Sequence, residues 1–518
     1  MTQLKKMLIY TSFPYFPRLE TELEIVDNYL AKGYDVVMIS CMGDLALCPD
    51  NQKIRKIKCM CCHSRLKAGY NWLKSEKVVL KGIRFINAAD QKVIDDVLSC
   101  SINSWDDLKS IDIGGSDVGL AAFSELVSLT RNPKPPLSEK NRDMAKKLLN
   151  NALIVHFSIK NHILKENPDV FILFNGRISA YRPALRIGQY FGIDTKVFEV
   201  SSNYRKYILI DNTYPHDLIN MQGYFKKTFD ASKDNEAQKQ IIANEWYNNR
   251  IGDLSGKINP FAYKHKRGSS ELNDVRDFSG LKVGIFISSE DEFVAISEHI
   301  NPFYVDQNHG IEEILNGLKD ENILFIIRAH PNLKKLFNDQ IIELNAIVRK
   351  RYNVKYIPPS SKISSYELIE ICDIILTFGS TIGIEAAYMG KPSILMGVSS
   401  YRGLGGTIEP ESHDELLTIL KESAELGHLP NKYEIPRDIV KRACTVYAYG
   451  LLESGVPHKY QKLTSHSKIS WIEKDGVRTY IRPNVLCRVI NGIDWYVKLP
   501  LRVLKRTFIF IKIKLFFG

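Results

Sequence analysis

The chain has 518 residues, 44% of them hydrophobic and 25% charged, with a formal net charge of +11. That length exceeds what one hydrophobic core holds, so two domains with additions are expected, and the apolar fraction is that of a globular protein with no low-complexity tract. No stretch is apolar for long enough to span a bilayer and the opening MTQLKKMLIYTSF carries no secretory pattern, so a cytoplasmic location is expected.

Residues 6–12 (KMLIYTS) read as a first strand, followed by the loop FPYFPR and a helix with Leu19, Leu23, Val26 and Leu30 on one face, ending at Gly33. A second strand follows at 35–40. This spacing opens a parallel α/β domain, whose ligands sit beyond the carboxyl ends of the strands. The first turn of the helix carries Glu20 and Glu22, with Glu24 one turn on. Glu20 and Glu22 are therefore candidate bases for an attacking hydroxyl, the plainer role being to favour the helix N-terminus.

Cys41, Cys48, Cys59, Cys61 and Cys62 come next, Cys59 and Cys62 with CxxC spacing. Cys41, Cys48, Cys59 and Cys62 can supply four thiolates to a tetrahedral structural zinc, against the alternative of buried or simply reduced cysteines. Residues 64–165 are mostly helical in character, with an exposed loop at RNPKPPLSEKN, and show no chemistry. The α/β rhythm returns with the strand PDVFILFNG, the helix RPALRIGQYFG and the strand TKVFEV. Arg177, in the turn at that first strand's carboxyl end, is a candidate contact for an acceptor or phosphate. Arg182 and Arg186 either share that role or are surface charges.

Residues 216–280 are polar and read as a connection between domains. A second α/β domain opens with LKVGIFISS, a strand ending in Ser288 and Ser289 ahead of the acidic EDE. The strand ILFIIRAHP ends in Arg328, His330 and Pro331. After NVKYIPP and the helix SSYELIEICD comes CDIILTFGSTIGIEAAYMGKPSI: a buried strand, a Gly-Ser-Thr turn, a two-turn helix and a further strand. Gly379 lets the chain turn sharply, Ser380 or Thr381 can cap the helix, and Glu385 lies one turn below, within reach of a sugar hydroxyl. Three strand ends thus put Ser288, Ser289, Arg328, His330, Ser380 and Thr381 on one sheet edge, groups suited to a nucleotide phosphate.

From 495 to 518 there are six basic residues (Lys498, Arg502, Lys505, Arg506, Lys512, Lys514) and no acidic ones, interleaved with Leu, Val, Phe and Ile. As a helix this is a basic stripe beside an apolar face, suited to an anionic membrane surface; the alternative is a helix packed on the protein. No recognition motif accompanies the charge, so nucleic acid is not an expected partner.

Together FNGR, SSEDEF, IRAHPN and TFGSTIGIEAAYMGKPSI resemble bacterial capsule and surface-polysaccharide transferases of the GT-B fold, over about two thirds of the chain. EAAYMGKPSI is similar to the element by which many such enzymes hold a nucleotide ribose, and the HP and Ser/Thr motifs are similar to those of sialyltransferases, Kdo transferases and polyol-phosphate transferases. The resemblance implies that Glu385 binds ribose and that His330, Ser380 and Thr381 hold the phosphate. It departs from the two-glutamate pattern of many retaining members, since Thr377 stands eight residues before Glu385. The expected fold class is α/β, with two Rossmann-like domains facing a cleft (GT-B-like), a helical insertion in the first and a helical C-terminal extension. The expected divisions are 1–215, 216–280, 281–440 and 441–518. The implied activity is sugar transfer from a CMP-, CDP- or UDP-linked donor to a saccharide or lipid-linked glycan, without a required cofactor, at the inner face of the cytoplasmic membrane. A nucleotide-sugar 2-epimerase and a non-catalytic polysaccharide assembly protein are the rival readings.

Overall fold

The computed structural model describes residues 5–14, 16–53, 55–203, 205–252, 268–296, 302–334, 336, 338–462, 471–483 and 487. The expected basic segment 495–518 lies outside them, as do residues 253–267 of the expected connection.

Two separate sheets organise the chain. The first is built from β1 (Lys6–Thr11), β2 (Asp35–Ser40), β3 (Val78–Gly82), β4 (Val170–Phe174), β5 (Asp194–Val200) and β6 (Lys206–Asp211). The second holds β7 (Leu281–Phe286), β8 (Ile323–Arg328), β9 (Val354–Ile357), β10 (Ile374–Thr377) and β11 (Ser393–Leu395). The second sheet is wholly parallel, in the order β11-β10-β7-β8-β9. In the first, β5-β4-β1-β2-β3 repeats the same doubly wound order, and β6 adds antiparallel to β5. Strands such as VFILF in β4 and IILT in β10 are buried at every position, because helices cover both faces of a parallel sheet. In both sheets the order reverses between the first strand and the fourth, and a crevice opens there at the carboxyl ends.

Three elements depart from expectation. β3 lies within the stretch expected to be helical; its VVLKG pairs in parallel with β2 and closes the edge of the first sheet. The connection is a packing layer: the helices Leu218–Ala231 and Glu236–Ile251 sit against the helix Arg437–Glu453. Among the described residues the extension opens as a helix and goes on as strands. After Glu453 the chain returns to the first domain as β12 (Val456–Pro457), antiparallel to β6. It then forms β13 (Gln461–Lys462), β14 (Trp471–Lys474) and β15 (Val477–Thr479), an antiparallel sheet. Asp475 at φ 51° and Gly476 at φ 74° supply the two left-handed residues of a tight hairpin turn between β14 and β15.

The return is pinned on α1 (Arg18–Ala31). The Glu24 carboxylate accepts from the backbone N–H groups of Lys459 and Tyr460, and the Tyr460 hydroxyl donates to Asp27 at 2.6 Å. The first turn of α1 is equally committed. Glu20 is ion-paired with Arg65, whose guanidinium also donates to the carbonyl of Pro14. Glu22 accepts from the Thr11 hydroxyl at 2.6 Å. Burial pushes the Glu20 carboxyl up to about 7 and the Glu22 carboxyl up to about 8.

Glu22 accordingly makes stability depend on pH. An unfolded chain releases this proton near the ordinary carboxylate value, whereas the folded chain keeps it to about pH 8. The folded state binds more protons in between, so stability falls as pH rises across that window, by about 1.4 kcal/mol for each pH unit crossed. Glu22→Gln is expected to flatten this slope, gaining on wild type between urea melts at about pH 5 and about pH 9. Parallel curves for the two proteins would refute it.

Candidate active site

The crevice between the sheets is a cavity of about 820 Å³ at the reversal point of the second sheet. Ser288 and Glu290, just beyond β7, and Phe378 and Gly379, just beyond β10, form one wall. Trp105, Lys109 and Phe123 of the first domain face them, and Tyr304 and Gln307 close one end. Gly379 is at φ 135°, and a Cβ there would stand 2.7 Å from the carbonyl oxygen of Val398, so no other residue fits this turn.

A polar seam holds the two domains together beside the cavity. Arg131 pairs with Asp291 at 2.8 Å, and Lys134 with Asp306 at 2.8 Å and Glu343 at 2.9 Å. Asn132 donates to Asp339 at 3.0 Å. Arg177 is part of this seam. Its buried guanidinium donates to the hydroxyl of Ser124 and to the carbonyls of Glu292 and Asp291. Arg177, expected to contact an acceptor or phosphate, is in this structure a bolt between domains. Arg182 and Arg186 both pair with Asp117, and Arg182 also donates to the carbonyl of Ala295.

The expected donor residues divide in two. Ser288 lines the cavity; its N–H donates to Gln307 Oε1 at 2.9 Å and its carbonyl accepts from Gln340. Ser289 turns away, donating to Asp291. Arg328 is buried and donates to the carbonyls of Pro358 and Ser361 in the chain after β9. His330 Nδ1 accepts the Asn332 N–H at 3.1 Å. Burial, aided by the Arg328 charge, lowers the imidazole to about 4, so at neutral pH its one proton sits on Nε2, a donor. Ser380 Oγ accepts the Ile382 N–H at 3.4 Å, while Thr381 is exposed and makes no capping bond. Glu385 is fully buried in the helix Ile382–Tyr388, paired with Arg250 at 2.7 Å and accepting from the Tyr366 hydroxyl at 2.6 Å. It does not line the cavity, and in this structure it ties helices together.

Glu20 and Glu22 are likewise absent from the cavity wall, and both are buried. Among the described residues, Asp106, Glu290 and Asp306 are the carboxylates that line the cavity, and Glu290, which sequence reasoning passed over as one acid of three in EDE, stands just beyond β7. Its Oε1 accepts the backbone N–H of Gln307 at 2.6 Å. Burial, with help from Asp306, pushes it up to about 7, the value suited to a general base. Tyr304, also unforeseen, packs edge-on against Phe378 with centroids 5.9 Å apart and shares a 2.7 Å hydrogen bond with His413 Nδ1.

The four thiols singled out above do converge. Cys41, Cys48, Cys59 and Cys62 line one cavity of about 40 Å³ in the first domain. Among the described residues no three His, Cys, Asp or Glu side chains stand in coordinating geometry, and no helix is long and apolar enough to cross a membrane.

No family model and no curated relative matches the chain. Among solved structures it is similar to KpsC of Thermosulfurimonas dismutans, a beta Kdo 2,4 transferase. That likeness has 14% identity over 63% of this chain and 88% of the other, at a TM-score of 0.32. The beta Kdo 2,7 transferase KpsC of the same organism is 11% identical over 56% and 79%, at 0.30. A UDP-GlcNAc 2-epimerase from Neisseria meningitidis, bound to UDP-GlcNAc, is 11% identical over 87% and 100%, at 0.26. The two-domain architecture stands on this chain's own sheets.

Proposed function

We propose that the chain is a glycosyltransferase that moves a sugar from a nucleotide-activated donor, CMP-, CDP- or UDP-linked, to a saccharide or lipid-linked acceptor of a bacterial surface polysaccharide. The observation that supports this most is the position of the large cavity: at the reversal point of the second sheet, walled on its far side by the first domain. A nucleotide belongs at such a point. The backbone turns at Ser288 and Gly379 admit its phosphates closely, and Tyr304 and Phe378 offer aromatic faces. The acceptor takes the opposite wall, where Trp105 and Phe123 suit the apolar face of a sugar ring and Lys109 suits an anionic group.

Glu290 stands on the donor side, within the cavity, as the base. It takes the proton of the acceptor hydroxyl as that oxygen bonds to the anomeric carbon. The bond from that carbon to the phosphate oxygen breaks, and the nucleotide leaves with the electron pair. His330, neutral with its proton on Nε2, is a donor suited to the leaving phosphate.

The test is a thermal-shift screen with CMP, CDP, UDP and GDP on the full chain. One nucleotide is expected to raise Tm by mass action, about 2.7 kcal/mol of stabilisation at a hundredfold excess over Kd. Silence toward all four would remove the donor site. Incubation with the matching nucleotide sugar alone then separates the rivals, since an epimerised sugar without released nucleotide identifies a 2-epimerase.

A further inference from the structure

Of the carboxylates on the cavity wall, two are matched with a cation. Asp106 pairs with Lys109 at 2.6 Å, and Asp306 pairs with Lys134 at 2.8 Å while its other oxygen accepts the His309 N–H at 2.8 Å. Glu290 accepts instead from a backbone amide, that of Gln307. Lys134 does not belong to the domain whose carboxylates it meets. It stands in a strap, 131–136, between the helices Val118–Thr130 and Glu139–Glu166 of the first domain. The strap lies against the second domain: Asn132 donates to Asp339 and accepts its N–H at 3.3 Å, and Asn338 donates to the Arg131 carbonyl at 3.0 Å. On the other side Trp105 Nε1 donates to the Pro135 carbonyl at 2.6 Å. Pro133, Lys134 and Pro135 form part of the cavity wall.

What the strap brings is a positive charge at the start of the helix Gln307–Gly317. Three successive residues there touch three charged groups. Asp306 pairs with Lys134, the Gln307 N–H donates to Glu290, and the Asn308 side chain donates to Glu343 at 3.2 Å. Lys134 reaches Glu343 as well, at 2.9 Å. The charges that face Glu290 are thus Asp306 from the cap of this helix, Glu343 from the helix Asp339–Val348, and Lys134 from the strap. Across the cavity Asp106 and Lys109 cancel each other. Burial favours the neutral form of Glu290, Asp306 and Glu343 favour it further, and Lys134 opposes all three. The lysine keeps its own charge: burial works against it, and its bonds to the two carboxylates more than offset that. Without it, three acidic groups share one corner of the cavity.

We propose that Lys134 is a positioning residue for Glu290: crossing from the first domain to pair with Asp306 and Glu343, it leaves Glu290 free to release its proton to solvent and so to serve as a base. This role rests on Glu290 being the base of sugar transfer, and it makes the readiness of that base depend on the two domains meeting. A carboxyl whose neighbours were both negative and unpaired would stay protonated at neutral pH and could accept nothing from an acceptor hydroxyl. Lys134 acts through the two carboxylates it holds and takes no proton itself.

The experiment measures Tm of the full chain from about pH 5 to about pH 9 for pairs of proteins, each with and without Glu290→Gln, in wild type, Lys134→Met, Lys134→Arg and Glu343→Gln. Within a pair the other titrations cancel. The folded chain holds the Glu290 proton longer than the unfolded chain does. The Glu290→Gln member therefore gains Tm over its parent as pH rises, and stops gaining where the folded carboxyl ionises, at about pH 7 in wild type. Lys134→Met is expected to move that plateau up by about half a pH unit, the size of a partly exposed charge pair. Lys134→Arg is expected to leave it in place, and Glu343→Gln to move it down. A strap that was merely loosened would not shift the two in opposite directions. Should Lys134→Met fail to fold, Glu343→Gln, at a side chain 40% exposed, still decides. A plateau that stays put in either variant, or moves the same way in both, overturns the proposal. These melts need no substrate, so they stand apart from the test of the reaction. Plateaus that move as stated beside a Glu290→Gln protein of normal turnover would remove Glu290 as the base and leave its tuning by Lys134 intact.

Discussion

Glu290→Gln is expected to lower the turnover of sugar transfer by about a hundred- to ten-thousandfold, the usual contribution of a positioned general base. The amide keeps the oxygen that accepts the Gln307 N–H, so the turn after β7 and the cavity wall stay in place. What disappears is the capacity to take a proton. In the wild type, kcat/KM is expected to rise with pH through about 7, where burial has set this carboxyl, and to level above it. In the variant that limb should vanish. Stability gives an independent control. The folded chain holds the Glu290 proton to about pH 7 while the unfolded chain releases it near the ordinary carboxylate value, so wild type loses stability as pH rises through that window. Glu290→Gln escapes this loss, and its Tm relative to wild type should climb with pH while its activity stays low. A variant that turns over like wild type would take Glu290 out of the chemistry and reopen the search along the cavity wall.

Glu290 also marks where reading the sequence stops. The strand-helix rhythm of both domains was legible, because a buried parallel strand such as VFILF or a helix closed by Gly390 and Pro392 carries its own local signal. Sheet order was not, since it follows from how distant strands pack. β3 was lost because five residues amid helical sequence make a weak pattern. The β14–β15 hairpin was a missed signal rather than an absent one: Asp475-Gly476 between WIEK and VRT is a strong turn marker. At the site, position was easier to read than role. Ser288 and Gly379 stand at strand ends facing the cavity, as chain order indicates. Arg177 and Arg328 also stand at strand ends, but their long side chains fold inward onto carbonyls. Nothing in a single sequence tells an arginine that reaches for a ligand from one that caps a loop. The same blindness hid Glu290 between Ser289 and Asp291, residues that bond to each other and leave it to face the cavity. The cysteines were the reverse case: chain order did not say where they meet, and the fold brings Cys41, Cys48, Cys59 and Cys62 to one cavity.

Glu385→Ala is expected to destabilise the chain by about 3 kcal/mol or more, the cost of removing one partner from a buried ion pair. Glu385 is completely enclosed, whereas the Arg250 side chain keeps 30% of its surface, which places the effect toward the lower end of the usual range. Three elements depend on this carboxylate: the helix Glu236–Ile251 through Arg250, the helix Ser365–Ile371 through Tyr366, and its own short helix. A double-mutant cycle separates the pair from its parts. Arg250→Met alone leaves a carboxylate buried beside one hydroxyl and should cost a similar amount. Arg250→Met with Glu385→Leu should recover most of the loss, because apolar side chains of like volume commonly replace a buried pair at little cost. The cycle is read from urea melts, and additive losses would show that the two residues act separately. Nucleotide affinity measured on the same proteins decides between a tie and a ribose ligand. If Glu385 holds only the helices, the Arg250→Met, Glu385→Leu protein binds its nucleotide as wild type does. If instead the carboxylate leaves Arg250 to grip a ribose, the restored protein stays stable and loses affinity, because no side chain of leucine can accept from a hydroxyl.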